Sequence, residues 1–116
     1  MPAPVTGKEF GDWLRNSPDS PFRGSRLTPI GRPWKVDGIK VFGARTDPYE
    51  PEEKQYVAFE GEKVVGYLKV TNFERETYAE AMAYGKPVEF GSTGEGSSEK
   101  PLGTFRKALK ERKPTG

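Results

Sequence analysis

The chain has 116 residues, a formal net charge of +2, and neither cysteine nor histidine. A chain of this length fits one domain. Without cysteine it forms no disulfide, thiolate nucleophile or cysteine-based zinc site, and without histidine it lacks the commonest general base and metal ligand.

A first helix is predicted near the N-terminus. Thr6 and Glu9 have the spacing of a capping box, in which the first residue is the N-cap and the second lies in the first turn. Residues at i, i+3 and i+4 then form one apolar face: Phe10, Trp13 and Leu14. The helix should end near Asn16, because the Ser-Pro pair that follows disfavours helical geometry before the proline.

Residues 16–33 are rich in proline and glycine, which predicts a long ordered loop. Two interpretations of this loop stay open: a binding loop, and a surface segment that wraps the core. Arginines alternate with aromatic residues along it, so the choice between the two bears on function.

Two hairpins are predicted next. Asp37-Gly38 lies between apolar stretches and is the strongest short-range signal for a tight turn. Residues 55–60 and 64–71 predict a second hairpin that turns at residues 61–63. Both faces of this second hairpin are apolar near its middle, so we expect a helix on one side and a loop or a partner on the other.

A second helix is predicted at residues 73–84. Thr71 and Glu74 again have the spacing of a capping box, and Gly85 is the expected C-terminal stop. The expected inward face consists of Phe73, Thr77, Tyr78, Ala81 and Met82. Residues 88–90 are expected to form one short strand after this helix.

The C-terminal part is predicted as a flexible segment followed by a helix. Residues 91–101 are dominated by glycine, serine and charged side chains, a composition typical of flexible linkers. Residues 102–116 then predict a basic amphipathic helix and tail, with the apolar positions Leu102, Phe105 and Leu109.

These elements predict an α+β fold. We expect a small antiparallel sheet of four or five strands, packed by one central helix and flanked by short N- and C-terminal helices. Residues 1–90 would form a single domain that includes the ordered loop. The flexible segment and the basic helix would follow it.

The charges are unevenly distributed along the chain. Residues 1–46 carry a net charge of about +4, residues 47–99 about −7, and residues 100–116 about +5. Such asymmetry is one of the few features of a sequence that indicate contact with a polyanion. The arginines of the first zone, residues 1–46, could instead pair with the acidic segment 47–62, and this alternative stays open.

The candidate binding residues lie in the two basic zones. Arginine binds phosphate through paired N–H donors, and an exposed aromatic ring can stack on a base. The predicted nucleic-acid-binding residues are Arg23, Arg26, Arg32, Trp34, Lys35, Arg106, Lys107 and Lys110. No residue is predicted to be catalytic or to bind a metal, and no cofactor is expected.

The first functional prediction is a non-catalytic binding module whose basic surface contacts nucleic acid or a protein that handles it. One alternative is a small histidine-independent enzyme, such as a nuclease-like toxin domain, with Arg or Lys and Glu or Tyr in its site. The other is a structural subunit of a virion or ribonucleoprotein assembly. No apolar run is long enough to span a membrane, and we expect a cytoplasmic protein without membrane contact.

Overall fold

The computed structural model describes residues 3–21, 27–30, 32–46, 52–74, 76–90 and 99–111. Two helices and seven strands lie within these ranges. In chain order they are α1 (Gly7–Asn16), β1 (Leu27–Pro29), β2 (Trp34–Val36), β3 (Ile39–Thr46), β4 (Glu52–Glu60), β5 (Lys63–Phe73), β6 (Glu76–Ala83), β7 (Lys86–Pro87) and α2 (Glu99–Glu111). Neither of these helices is long and apolar enough to cross a membrane.

All seven strands belong to one antiparallel sheet with the order β1-β3-β4-β5-β6-β7. The short strand β2 also pairs with β3. β1 lies opposite residues 44–46 of β3, and β2 lies opposite residues 39–41 of the same strand. β1 and β2 therefore lie along the same edge of β3, with an interruption between Ile30 and Trp34.

The expected α+β class is confirmed, but the sheet has seven strands rather than four or five. The prediction of a helix at residues 73–84 is wrong. This segment contains the end of β5, a turn at Glu74 and the whole of β6. Thr77, Ala81 and Ala83 are buried at alternate positions, so the segment has the period of a strand. Pairing with β5 along the whole of β6 outweighs the helix propensity of its alanines.

The two predicted hairpins are confirmed. Asp37 and Gly38 have φ values of 44° and 82°, as a type I′ turn between β2 and β3 requires. β4 and β5 turn at residues 61–62, where Gly61 has a φ of 61°. Gly85, expected to end a helix, is instead the second residue of a tight turn between β6 and β7, with a φ of 77°. A helix C-terminus and a tight turn both require a positive φ, which glycine adopts without steric cost.

Helix α1 packs on one face of the sheet, here called the α1 face. It begins as predicted, because the Thr6 hydroxyl accepts a hydrogen bond of 3.2 Å from the Glu9 N–H. The ring of Phe10 lies 5.1 Å from that of Phe42 on β3, and the ring of Trp13 lies 4.9 Å from that of Phe59 on β4. These contacts form an aromatic core that covers β3 and β4.

Helix α2 packs on the opposite face, here called the α2 face. Phe105 and Leu109 are fully buried there against residues of β3 to β6. The Tyr84 hydroxyl donates a hydrogen bond of 2.9 Å to the Leu109 carbonyl, which lies in the last turn of the helix. The sheet therefore has a helix on each face, where the sequence predicted a helix on one face only.

Several C-terminal boundaries differ from the predicted ones. Helix α2 begins at Glu99, so residues 99–101 of the segment predicted as flexible are helical. Residues 91–98 and 112–116 lie outside the described residues. The strand expected at residues 88–90 is replaced by β7 at residues 86–87, after which the Val88 N–H donates to the Ala81 carbonyl at 3.0 Å.

Candidate nucleic-acid interface

The two basic zones of the sequence meet at Trp34. This residue lies on β2 opposite Val41, so its half-buried side chain is on the α2 face of the sheet. The guanidinium carbon of Arg106 on α2 lies over the indole ring, 4.4 Å from the ring centroid. Cation–π contacts of this kind contribute about 0.5–1 kcal/mol at exposed sites.

The apolar spacing of α2 explains why Arg106 reaches Trp34. Phe105 and Leu109 point into the core, which places the residue after each of them on the same flank of the helix. These flanking residues are Arg106 and Lys110, and both are exposed. They lie about 6 Å apart along the helix axis, because each residue advances the helix by about 1.5 Å.

Arg32 lies near Trp34 in the chain. It is exposed and falls at the interruption between β1 and β2, two positions before Trp34. Within the described part of the chain, Arg32, Arg106 and Lys110 form no salt bridge with a carboxylate. Their charges are therefore not neutralised by described acidic residues. We call Arg32, Trp34, Arg106 and Lys110 the Trp34 surface.

The remaining predicted residues lie elsewhere or outside the described ranges. Lys35 is exposed and alternates with Trp34 along β2, so its side chain is on the α1 face. Lys107 lies on the other flank of α2, where it lines a shallow cavity of about 270 Å³ with residues 87–89. Its ammonium group lies 3.9 Å from the Glu111 carboxylate. Arg23 and Arg26 lie outside the described residues.

The described residues hold no group of three or more Asp and Glu side chains that could bind a metal ion. Two tyrosines have shifted acidity. A hydrogen bond to Glu76 raises the pKa of Tyr78, and burial raises the pKa of Tyr84. Both shifts favour the protonated phenol, so they oppose a role of either tyrosine as a general base near neutral pH.

One exposed surface was not predicted from the sequence. Phe73 and Tyr78, both assigned to the inward face of a helix, are 50% and 55% exposed on β5 and β6. Because the segment forms a strand, Tyr78 lies on the opposite side of the sheet from its buried neighbour Thr77. Correct recognition of the strand period would have revealed this surface.

Comparisons of the chain with models of known protein families, with curated proteins and with solved structures find no match.

Proposed function

We propose that the chain is a non-catalytic binding module that contacts the phosphate backbone of a nucleic acid through the Trp34 surface. The observation that carries this proposal is the contact between Arg106 and Trp34. It joins a basic zone near the N-terminus to the basic zone near the C-terminus. Arg106 and Lys110 of the second zone lie one helical turn apart, and the first of them contacts Trp34 of the first zone.

The chemistry of the cluster suits phosphate. A guanidinium group that lies over an aromatic ring is restrained by it, while its N–H donors stay available to an oxyanion. Such a restrained fork loses less entropy when it forms paired hydrogen bonds to phosphate. Lys110 lies one helical turn after Arg106, and Arg32 lies two positions before Trp34; both are exposed and form no salt bridge with a described acidic residue.

The arrangement favours a repeating polyanion over a small anion. The three cations lie along one turn of α2 and an interrupted edge strand, rather than on a single loop. A phosphate backbone presents charges in series, and each contact with Lys or Arg releases a condensed counterion. Trp34 is half-buried with the Arg106 guanidinium over its ring, so its part in binding is to hold that group for a phosphate.

The experiment is fluorescence anisotropy with a labelled single-stranded oligonucleotide and with a labelled duplex, between about 50 mM and about 200 mM salt. We expect affinity for at least one of them to fall steeply with salt. The double variant Arg106→Gln/Lys110→Gln should flatten the slope of log affinity against log salt by about 2 units.

Lys8→Gln is the matched control, because Lys8 is exposed on α1, across the sheet from the Trp34 surface. It removes one positive charge from the chain and should leave the slope nearly unchanged. Equal losses from Lys8→Gln and from Lys110→Gln would show that binding depends on overall charge alone. Failure of both nucleic acids to bind at low salt would refute the proposal.

A further inference from the structure

The α1 face of the sheet is covered over only part of its width. Helix α1 packs on β3 and β4, whereas the same face of β5 and β6 has no described helix on it. Directly opposed pairs on this part of the face are Tyr67 with Met82, Lys69 with Glu80, Thr71 with Tyr78, and Phe73 with Glu76. We call these eight residues the open face.

Burial differs sharply between the two faces of the same two strands. On the α2 face Leu68 and Val70 are fully buried, and Ala81 is 4% exposed. On the open face Tyr78 is 55% exposed, and Tyr67, Lys69 and Met82 are only half-buried. Exposed tyrosine and methionine are the residue types enriched at protein interfaces.

The open face is acidic. Glu76 and Glu80 are exposed, and the one described lysine, Lys69, already lies 3.8 Å from the Glu53 carboxylate. The Tyr78 hydroxyl donates a hydrogen bond to Glu76. That hydrogen bond and the charges of Glu76 and Glu74 raise the pKa of Tyr78, which reports a negative local potential.

We propose that the open face binds an arginine-rich segment of a partner protein. Guanidinium groups of the segment would lie over the Tyr78 ring and form salt bridges with Glu76 and Glu80. The inference goes beyond the proposed nucleic-acid contact, because it concerns the opposite face of the sheet and a partner of opposite charge.

Arginine suits this face better than lysine for two reasons. Its planar group can contact an aromatic face and a carboxylate at once, whereas an ammonium group is a strongly hydrated point charge. The chain itself contains such a pair, since Arg106 lies over Trp34 at 4.4 Å. On β6, Tyr78 lies between Glu76 and Glu80 on the same side of the sheet. One strand therefore offers a guanidinium both an aromatic ring and carboxylates.

The test is a titration of the isotope-labelled chain, followed by amide chemical shifts, with two synthetic peptides. One peptide alternates arginine with glycine, and the other alternates lysine with glycine. We expect the arginine peptide to bind more tightly and to shift amides of residues 67–71 and 76–80. Tyr78→Ala should weaken its binding about two- to fivefold, the effect of one exposed cation–π contact.

Glu80→Gln and Glu62→Gln form a matched pair of variants. Both remove one exposed carboxylate, but Glu62 lies in the β4–β5 turn, away from the open face. Only Glu80→Gln should weaken binding of the arginine peptide, and Lys110→Gln should not, which separates this inference from the nucleic-acid proposal. Equal weakening by Glu62→Gln, shifts confined to other residues, or no binding would overturn it. Concentration-dependent shifts of the open face without peptide would also overturn it, because they would assign the face to a second copy of the chain.

Discussion

Replacing Gly66 with alanine puts a methyl group where β5, β6 and α2 meet. A Cβ atom at this position would lie 2.8 Å from the Met82 carbonyl oxygen. It would also lie 3.3 Å from Leu109 Cδ2 and 3.4 Å from Phe105 Cε1. The two side chains can shift slightly, but the carbonyl belongs to a strand that is paired along its whole length with β5. The strain therefore falls on the backbone of the sheet.

The expected cost can be estimated from these contacts. Overpacking of a close-packed site costs about 1–3 kcal/mol, and alanine recovers about 0.5–1 kcal/mol relative to glycine within an element. We therefore expect Gly66→Ala to lower the free energy of unfolding by about 1–2 kcal/mol. The measurement is urea unfolding followed by tryptophan fluorescence, with the midpoint compared at constant slope.

Gly103→Ala is the matched control. Gly103 is an exposed interior residue of α2, and a Cβ built there meets no described atom within 4 Å apart from its chain neighbours and the backbone of the helix itself. The same chemical change should therefore stabilise the chain by about 0.5–1 kcal/mol. A Gly66→Ala variant as stable as the wild type would show that the Met82 carbonyl does not approach Gly66 this closely.

Three further substitutions test other parts of the fold. Gly38→Val forces a β-branched residue into a φ of 82° and should cost about 1–3 kcal/mol by urea unfolding, so an unchanged midpoint would place the turn elsewhere. Gln55→Leu removes a buried amide oxygen that accepts no hydrogen bond from a described residue, while the Gln55 amide nitrogen donates to Glu53 at 2.6 Å. We expect unchanged or higher stability, and a loss above about 1 kcal/mol would contradict this. Burial raises the pKa of Tyr84 in the folded chain. The stability that the protonated Tyr84 phenol contributes is therefore complete below the unfolded pKa of 10.0, and it is lost as the pH rises from there through the folded pKa. Tyr84→Phe should lower the free energy of unfolding at neutral pH, because it removes the hydrogen bond to the Leu109 carbonyl. It should also reduce the pH dependence of that free energy in alkaline solution, and an unchanged pH dependence would contradict this.

The sequence contained two capping-box patterns of equal quality, and only one of them begins a helix. After Thr6 and Glu9 the apolar residues follow helical spacing, and α1 forms. After Thr71 the apolar residues fit either period, and the pairing of β6 with β5 decides the outcome. Local propensity is weak beside such tertiary pairing, so this segment could not be assigned from neighbouring residues alone.

Tight turns were easier to predict, because Asp37-Gly38 needs only the backbone freedom of its own residues. The candidate site was predictable only as a set of residue types. That Arg106 meets Trp34, while Lys35 and Lys107 lie elsewhere, depends on the position of β2 beside β3 and on the face to which α2 packs. Neither property can be derived from charge or periodicity.

In the proposed function, Trp34 positions Arg106 for contact with a phosphate backbone. A double-mutant cycle with Trp34→Leu, Arg106→Gln and the double variant measures this directly, with oligonucleotide affinity at fixed low salt as the readout. Both single variants should bind more weakly, and the double variant should bind no more weakly than Arg106→Gln alone, because Trp34 acts through Arg106. The coupling between residues in contact is about 0.5–3 kcal/mol. Losses that add, or a Trp34→Leu variant that binds like the wild type, would contradict the claim.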